Sequence, residues 1–214
     1  MMLILDRVEV RILGCLIEKD ITTPEYYPMT LNALVNACNQ KSNREPVVAW
    51  DEDLVAEGID TLRAKKLLGS LTGAGNRVPK YSHLIQQVLN LGRREVAVLC
   101  ELMLRGPQTS GELRDRASRM HRFSDMDEVE ACLARLNEHP AGSMVKQLPR
   151  QAGRKEPRYA HLLSGEPVIP SQPDSADGAM ELTSPLADRV EALEADVREL
   201  RALLLRVTSE LGIS

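Results

Sequence analysis

The run Asn39-Gln40-Lys41-Ser42-Asn43-Arg44 is the densest group of side chains able to read or grip a nucleic acid. Asn and Gln pair with adenine edges, and Lys or Arg with guanine or phosphate. The same residue types satisfy backbone groups in a loop, so a recognition loop and a structural loop both remain open. Other bases gather at two turns further along: Arg77 and Lys80, then Arg150, Arg154, Lys155 and Arg158. Arginine at a hairpin tip can contact phosphate or enter a minor groove. It also keeps a strand edge soluble.

Other chemistry finds little to stand on. Tyr81/His83 and Tyr159/His161 recur as Y-x-H, and residues two apart on a strand share a face. A packed tyrosine beside a hydrogen-bonded histidine explains them better than a ligand site. His121 and His139 have no cysteine or histidine at zinc-ligand spacing. Gly73-Ala74-Gly75-Asn76-Arg77-Val78 lacks the third glycine of a dinucleotide loop and falls in a turn between strands. No phosphate-binding loop, nucleophile elbow or acid/base pair is present. We therefore expect no catalytic residue, cofactor or metal, and no enzyme.

The elements that would carry these residues occur twice. Gly75 to Leu84 and Gly153 to Leu162 share G-x-[RK]-x-P-[KR]-Y-x-H-L. Glu9-Val10-Arg11-Ile12-Leu13 matches Glu95-Val96-Ala97-Val98-Leu99 upstream, and Val55, Ile59, Leu62 match Val129, Leu133, Leu136 between them. In the first copy Asp6 caps a helix to about Lys19, Thr30 precedes a helix to about Asn39, and Asp51 opens a third to about Lys65. Strands near Leu67–Leu71 and Lys80–Ile85 form a hairpin. In the second copy a helix covers about Arg93–Arg105, and Thr109-x-x-Glu112 is a capping box for the next, to about Met120. Ser124 caps a third helix ending before Pro140, followed by strands Val145–Leu148 and Arg158–Leu163. Three helices and a hairpin are the order of a winged helix-turn-helix, within a mainly α, α+β fold class.

The expected organisation is a first winged helix over 1–88 and a second over 89–165. A Gly/Pro/Ser linker over 166–183 and a helix over 184–214 follow. In that last segment Leu186, Val190, Leu193, Val197, Leu200, Leu204, Val207 and Leu211 alternate steps of four and three, a heptad seam. Branched residues at a and leucine at d favour a parallel two-stranded coil. Arg189 then faces Glu194, and Asp196 faces Arg201, across the pair. A homodimer through this helix is expected; a helix docked on its own body is the competing outcome.

The Thr22-Thr23-Pro24-Glu25-Tyr26-Tyr27-Pro28 run, the Leu31-Asn32-Ala33-Leu34 helix and Ala37-Cys38-Asn39-Gln40-Lys41-Ser42-Asn43-Arg44-Glu45-Pro46 resemble the YceH-like family of uncharacterised bacterial proteins. Leu13-Gly14-Cys15-Leu16-Ile17-Glu18-Lys19 fits the same pattern, so the resemblance covers roughly 1–165. It implies a tandem winged-helix fold in a cytosolic bacterial protein, and no particular activity.

Composition narrows the functions. Only 3% of the 214 residues are aromatic, which argues against sheets that stack bases on exposed rings. The net charge of −4 is uneven: ten acids against four bases give −6 to residues 166–214, leaving +2 on the body. Within the body, acids crowd the third helices, at Asp51-Glu52-Asp53 and Asp125-Met126-Asp127-Glu128. Their carboxylates suit a helix N-terminus but would repel phosphate, so the usual major-groove pose is disfavoured. Cys15, Cys38, Cys100 and Cys132 lie on or beside apolar stripes, as buried thiols of a reduced compartment do. No apolar run approaches a membrane span, and we expect a cytoplasmic protein with no membrane partner. Duplex DNA is one expected partner, met by the wings and the Lys41–Arg44 loop. A protein meeting the acidic third helices is the alternative.

Overall fold

Each copy begins with a helix whose whole middle is buried. In the computed structural model, which describes residues 4–73, 76–150 and 156–167, helix α1 spans Arg7–Thr22. Asp6 accepts from the Val8 and Glu9 amides while Glu9 accepts from the Asp6 amide, so the first turn is closed by a capping box. A short 3-10 turn (Pro24–Tyr26) and strand β1 (Met29–Thr30) lead to α2 (Leu31–Cys38), capped by Thr30. A long loop then reaches α3 (Glu52–Ala64), capped by Asp51. Strands β2 (Leu68–Gly73) and β3 (Asn76–His83) pair antiparallel, and β1 joins on the other side of β3 through Met29↔Tyr81.

The second copy repeats the order. Helix α4 (Ile85–Leu89) links to α5 (Arg93–Arg105), which stops at Gly106 with φ +73°. Helix α6 (Ser110–Ala117) opens with the Thr109/Glu112 capping box. Helix α7 (Met126–Asn137) precedes β4 (Val145–Gln147) and β5 (Tyr159–His161). Here the third strand shrinks to one bridge, Gln108↔Tyr159, in the place that Met29↔Tyr81 holds in the first copy.

Three local expectations need correction. The cap of α7 is Asp125, whose carboxylate accepts from the Glu128 amide; Ser124 instead bonds the Glu128 carboxylate. The first helix runs one turn past Lys19, to Thr22. The strand expected to reach Ile85 ends at His83, because Ile85 starts α4 and buries fully.

The two copies share one set of buried apolar side chains rather than two. Helices α1 and α5 approach closely at Gly14, where an added Cβ would stand 2.9 Å from Leu104 Cδ2. Cys100 Sγ donates to the Gly14 carbonyl at 3.3 Å, and the Leu5 amide donates to the Leu163 carbonyl at 2.6 Å. All four cysteines are free and buried, as their spacing implied. Among the described residues, no helix is long and apolar enough to cross a membrane. The sequence expectations for the linker beyond residue 167 and for the helix 184–214 with its heptad seam lie outside the described residues.

Candidate functional site

The Asn39–Arg44 run folds as a pinned loop. Asn39 bridges it, donating to the Trp50 carbonyl at 2.8 Å and accepting from the Trp50 amide at 2.9 Å. Arg11 donates to the carbonyls of Cys38 and Pro46 and lies 5.9 Å from the Trp50 ring. Gln40 accepts from Lys19 and Arg44. Asn43, at φ 57°, accepts from Arg105.

For Arg44, of the two roles open to this run, support of the loop fits the structure, because its side chain is wholly buried. Two nitrogens grip the Glu18 carboxylate at 2.5 and 3.1 Å, and Nε donates to the Ala37 carbonyl at 3.1 Å. A guanidinium leaves water only for a charged partner, and Glu18 on α1 supplies it. Lys41 and Ser42 are the loop residues left exposed.

Glu18 is also the start of a longer network. Arg119, just beyond α6, pairs with Glu18 and holds Glu101 of α5 at 2.8 and 3.1 Å. Arg105 faces Glu101 from one turn on, at 3.2 Å. The fully buried Gln108 donates to the Glu101 carbonyl at 2.9 Å and accepts from Arg116 at 2.9 Å. Arg116 meets Glu112 at 3.3 Å, and Arg158 meets the same carboxylate at 3.3 Å. Lys19 flanks Glu18 at 3.7 Å. A continuous band of charge thus runs from the loop of the first copy to the hairpin of the second.

Six cations in this band, Lys19, Arg44, Arg105, Arg116, Arg119 and Arg158, share three carboxylates, Glu18, Glu101 and Glu112. Burial pushes the Glu18 carboxyl up, but hydrogen bonds and charge from Arg44, then Arg119, outweigh it and hold the pKa below the ordinary range. Against their burial, Glu18 raises Arg44, and Glu101 first, then Glu18, raises Arg119. Glu18, Arg44 and Arg119 are therefore ionised together at neutral pH.

The band joins two groups that the sequence left apart, the Asn39–Arg44 loop and Arg158. Other expected contacts stand elsewhere. Arg150 is exposed; Lys80 is half-buried, opposite Leu71 and Thr30. The side chain of Arg77, and all of Arg154 and Lys155, lie outside the described residues. Sequence reasoning missed Arg105, Arg116 and Arg119. The available signal was the carboxylates: Glu18 and Glu101 each interrupt an otherwise apolar helical stretch, and a buried acid requires a base.

The Y-x-H residues serve packing. His83 Nε2 lies 3.3 Å from Asp20, its amide donates to the Tyr27 hydroxyl at 2.7 Å, and the two rings are 6.1 Å apart. The Tyr159 hydroxyl accepts from Gln147 at 3.1 Å. On the third helices Asp53, Asp60, Asp127 and Glu130 are exposed. Glu128 is held ionised by the Ser124 amide first, with a pKa of about 2. Among the described residues no cluster of side chains has the makings of a metal site.

Residues 5–154 match a family described as "Protein of unknown function, DUF480". A UPF0502 protein of Citrifermentans bemidjiense is 58% identical over 165 residues, covering 77% of this chain and 76% of that one. A UPF0502 protein of Pelobacter propionicus is 51% identical over 219 residues, covering 98% and 97%. One from Aeromonas hydrophila is 46% identical over 216 residues, covering 99% and 98%. The match includes the whole charged loop and most of the second copy.

Proposed function

We propose that this chain, which belongs to the DUF480 family of UPF0502 proteins, is a non-enzymatic, cytosolic, tandem winged helix-turn-helix protein that associates with duplex DNA. The repeated order of helix, short strand or bridge, two helices and hairpin supports the winged-helix assignment. The observation that carries the DNA reading is the charged band, where five partly exposed cations, Lys19, Arg105, Arg116, Arg119 and Arg158, line both copies around the buried Arg44–Glu18 pair. Such a surface gains affinity by displacing counterions from phosphate. Lys41 and Arg150, named with these cations from the sequence, are exposed as well.

A second reading rests on the exposed acids of α3 and α7. They suit a basic protein partner and repel DNA. Fluorescence anisotropy with a labelled duplex separates the two readings. DNA association gives binding at low salt that weakens steeply as salt rises, and Arg154→Ala/Lys155→Ala/Arg158→Ala weakens it. Absence of binding at low salt rejects the DNA reading and leaves the adaptor.

The same protein is proposed to dimerise through the seam from Leu186 to Leu211. In sedimentation, Leu193→Asp/Leu200→Asp converts such a dimer to monomer. A double variant that stays dimeric refutes the coil.

A further inference from the structure

The two copies differ most in their second helices. Helix α2, Leu31–Cys38, carries no charged side chain, whereas α6, Ser110–Ala117, carries Glu112, Arg114, Asp115 and Arg116. Within α6 the Glu112 carboxylate is doubly fixed, accepting from the Thr109 amide at 3.0 Å while its own amide donates to the Thr109 hydroxyl. Arg116 and Arg158 close on it from two elements, each at 3.3 Å. Each also has one anchored arm: Arg116 on the buried Gln108, and Arg158 on the Pro107 carbonyl at 2.7 Å.

The result is two guanidinium groups held around one carboxylate, with side chains 33% and 26% exposed. A guanidinium has five N–H donors, so both retain donors beyond the bonds named here, on side chains that stay partly exposed. Their conformational entropy is already spent on Glu112, Gln108 and Pro107, which lowers the cost of gripping an oxyanion. In helix-turn-helix docking the helix before the recognition helix crosses the DNA backbone. Helix α6 stands in that position. Helix α7 exposes Asp127 and Glu130, which a groove lined by phosphates would repel.

We propose that Arg116 and Arg158, set on either side of Glu112, form a backbone-phosphate contact for duplex DNA in the second copy, and that helix α7 stays out of the major groove. This rests on the DNA reading given above. Contacts to phosphate position a duplex without reading its bases, so binding at this site is indifferent to sequence.

The test measures affinity and salt dependence for the full chain on a random duplex and on a shuffled one of equal length. Arg116→Gln/Arg158→Gln is expected to weaken binding by about tenfold or more and to reduce the salt slope by about 2, one for each lost phosphate contact. Arg116→Lys/Arg158→Lys keeps the charge and most of the binding. Glu112→Gln keeps a capping-box side chain and removes the competing charge, so it tightens binding several-fold. Wild-type affinity and slope in the double Gln variant, or unchanged affinity in Glu112→Gln, overturn the assignment while the DNA reading stands. A strong preference for one sequence also overturns it. Absence of duplex binding by the wild type rejects the DNA reading itself.

Discussion

Arg119 leaves the second copy to share the Glu18 carboxylate of the first with Arg44, which grips it from within the first copy at 2.5 Å. Glu18 is 2% exposed, so its charge is balanced within the protein, by these two guanidinium groups with Lys19 at 3.7 Å beside them. Glu18→Gln leaves both facing a neutral amide. Breaking a buried ion pair by removing one partner costs about 3–5 kcal/mol, against less than about 0.5 for a surface change such as Glu57→Gln. Urea unfolding of the two variants measures the difference. A loss for Glu18→Gln no larger than that for Glu57→Gln contradicts the role given to the pair.

The contact between α1 and α5 makes a second, purely steric prediction. Alanine at Gly14 gains up to about 1 kcal/mol of helix propensity. Its Cβ, however, would stand 2.9 and 3.0 Å from Leu104 Cδ2 and Cγ. Leu104 is fully buried, and side chains in a close-packed core shift only at a cost. Overpacking of this kind costs about 1–3 kcal/mol, so the net change is a loss. Gly14→Ala should lower the melting temperature, and Leu104→Ala in that background should cost less than it does alone. Additive losses would show that the two residues do not press on each other.

How far the sequence alone reaches can be judged from these same residues. The Asp6 cap, the Thr109/Glu112 capping box and the end of α5 at Gly106 were legible, since each depends on neighbours within four positions. The fate of Arg44 was not. Its partner Glu18 lies 26 residues earlier, and only the packing of α2 against α1 brings the two together. Arg119 and Glu18 are 101 residues apart and in different copies. Repeat matching found the copies but could not show that they bury one core and one ion network between them. Helix α4 was hidden for a different reason: Ile85-Gln86-Gln87-Val88-Leu89 is too short to display a helical period.

The four thiols offer a check on the shared core. Cys15, Cys38 and Cys100 are 0% exposed and Cys132 is 3% exposed. Burial, with Glu95 adding to it, pushes the Cys132 pKa up to about 12; burial also carries Cys100 well above its ordinary value. A thiol reacts as thiolate, so both obstacles act in the same direction. Ellman's reagent at pH 7.5 should label none of the four on the time scale of minutes, and all four in guanidinium chloride. Prompt labelling of the native chain would mean that the core is open at that cysteine.

Two histidines set the response to mild acid. Burial lowers the His161 pKa to about 4, and burial also lowers that of His83, where Asp20 opposes the shift without cancelling it. The folded protein therefore keeps both imidazoles neutral where the unfolded chain already takes up protons, near pH 6.5. Stability from this source is complete above about pH 6.5 and is lost as the pH falls towards 4. His161→Gln should flatten part of that slope, and adding His83→Gln should flatten more. Chemical denaturation at intervals between pH 7 and pH 4.5 gives the slope directly. Below this window Glu18 acts in turn: with its pKa depressed, its contribution is full above the ordinary carboxylate value and is lost as the pH falls through that value towards the folded one, so the double histidine variant should still unfold in stronger acid. A double variant with the wild-type slope between pH 6.5 and pH 4.5 would assign the mild-acid response to other groups.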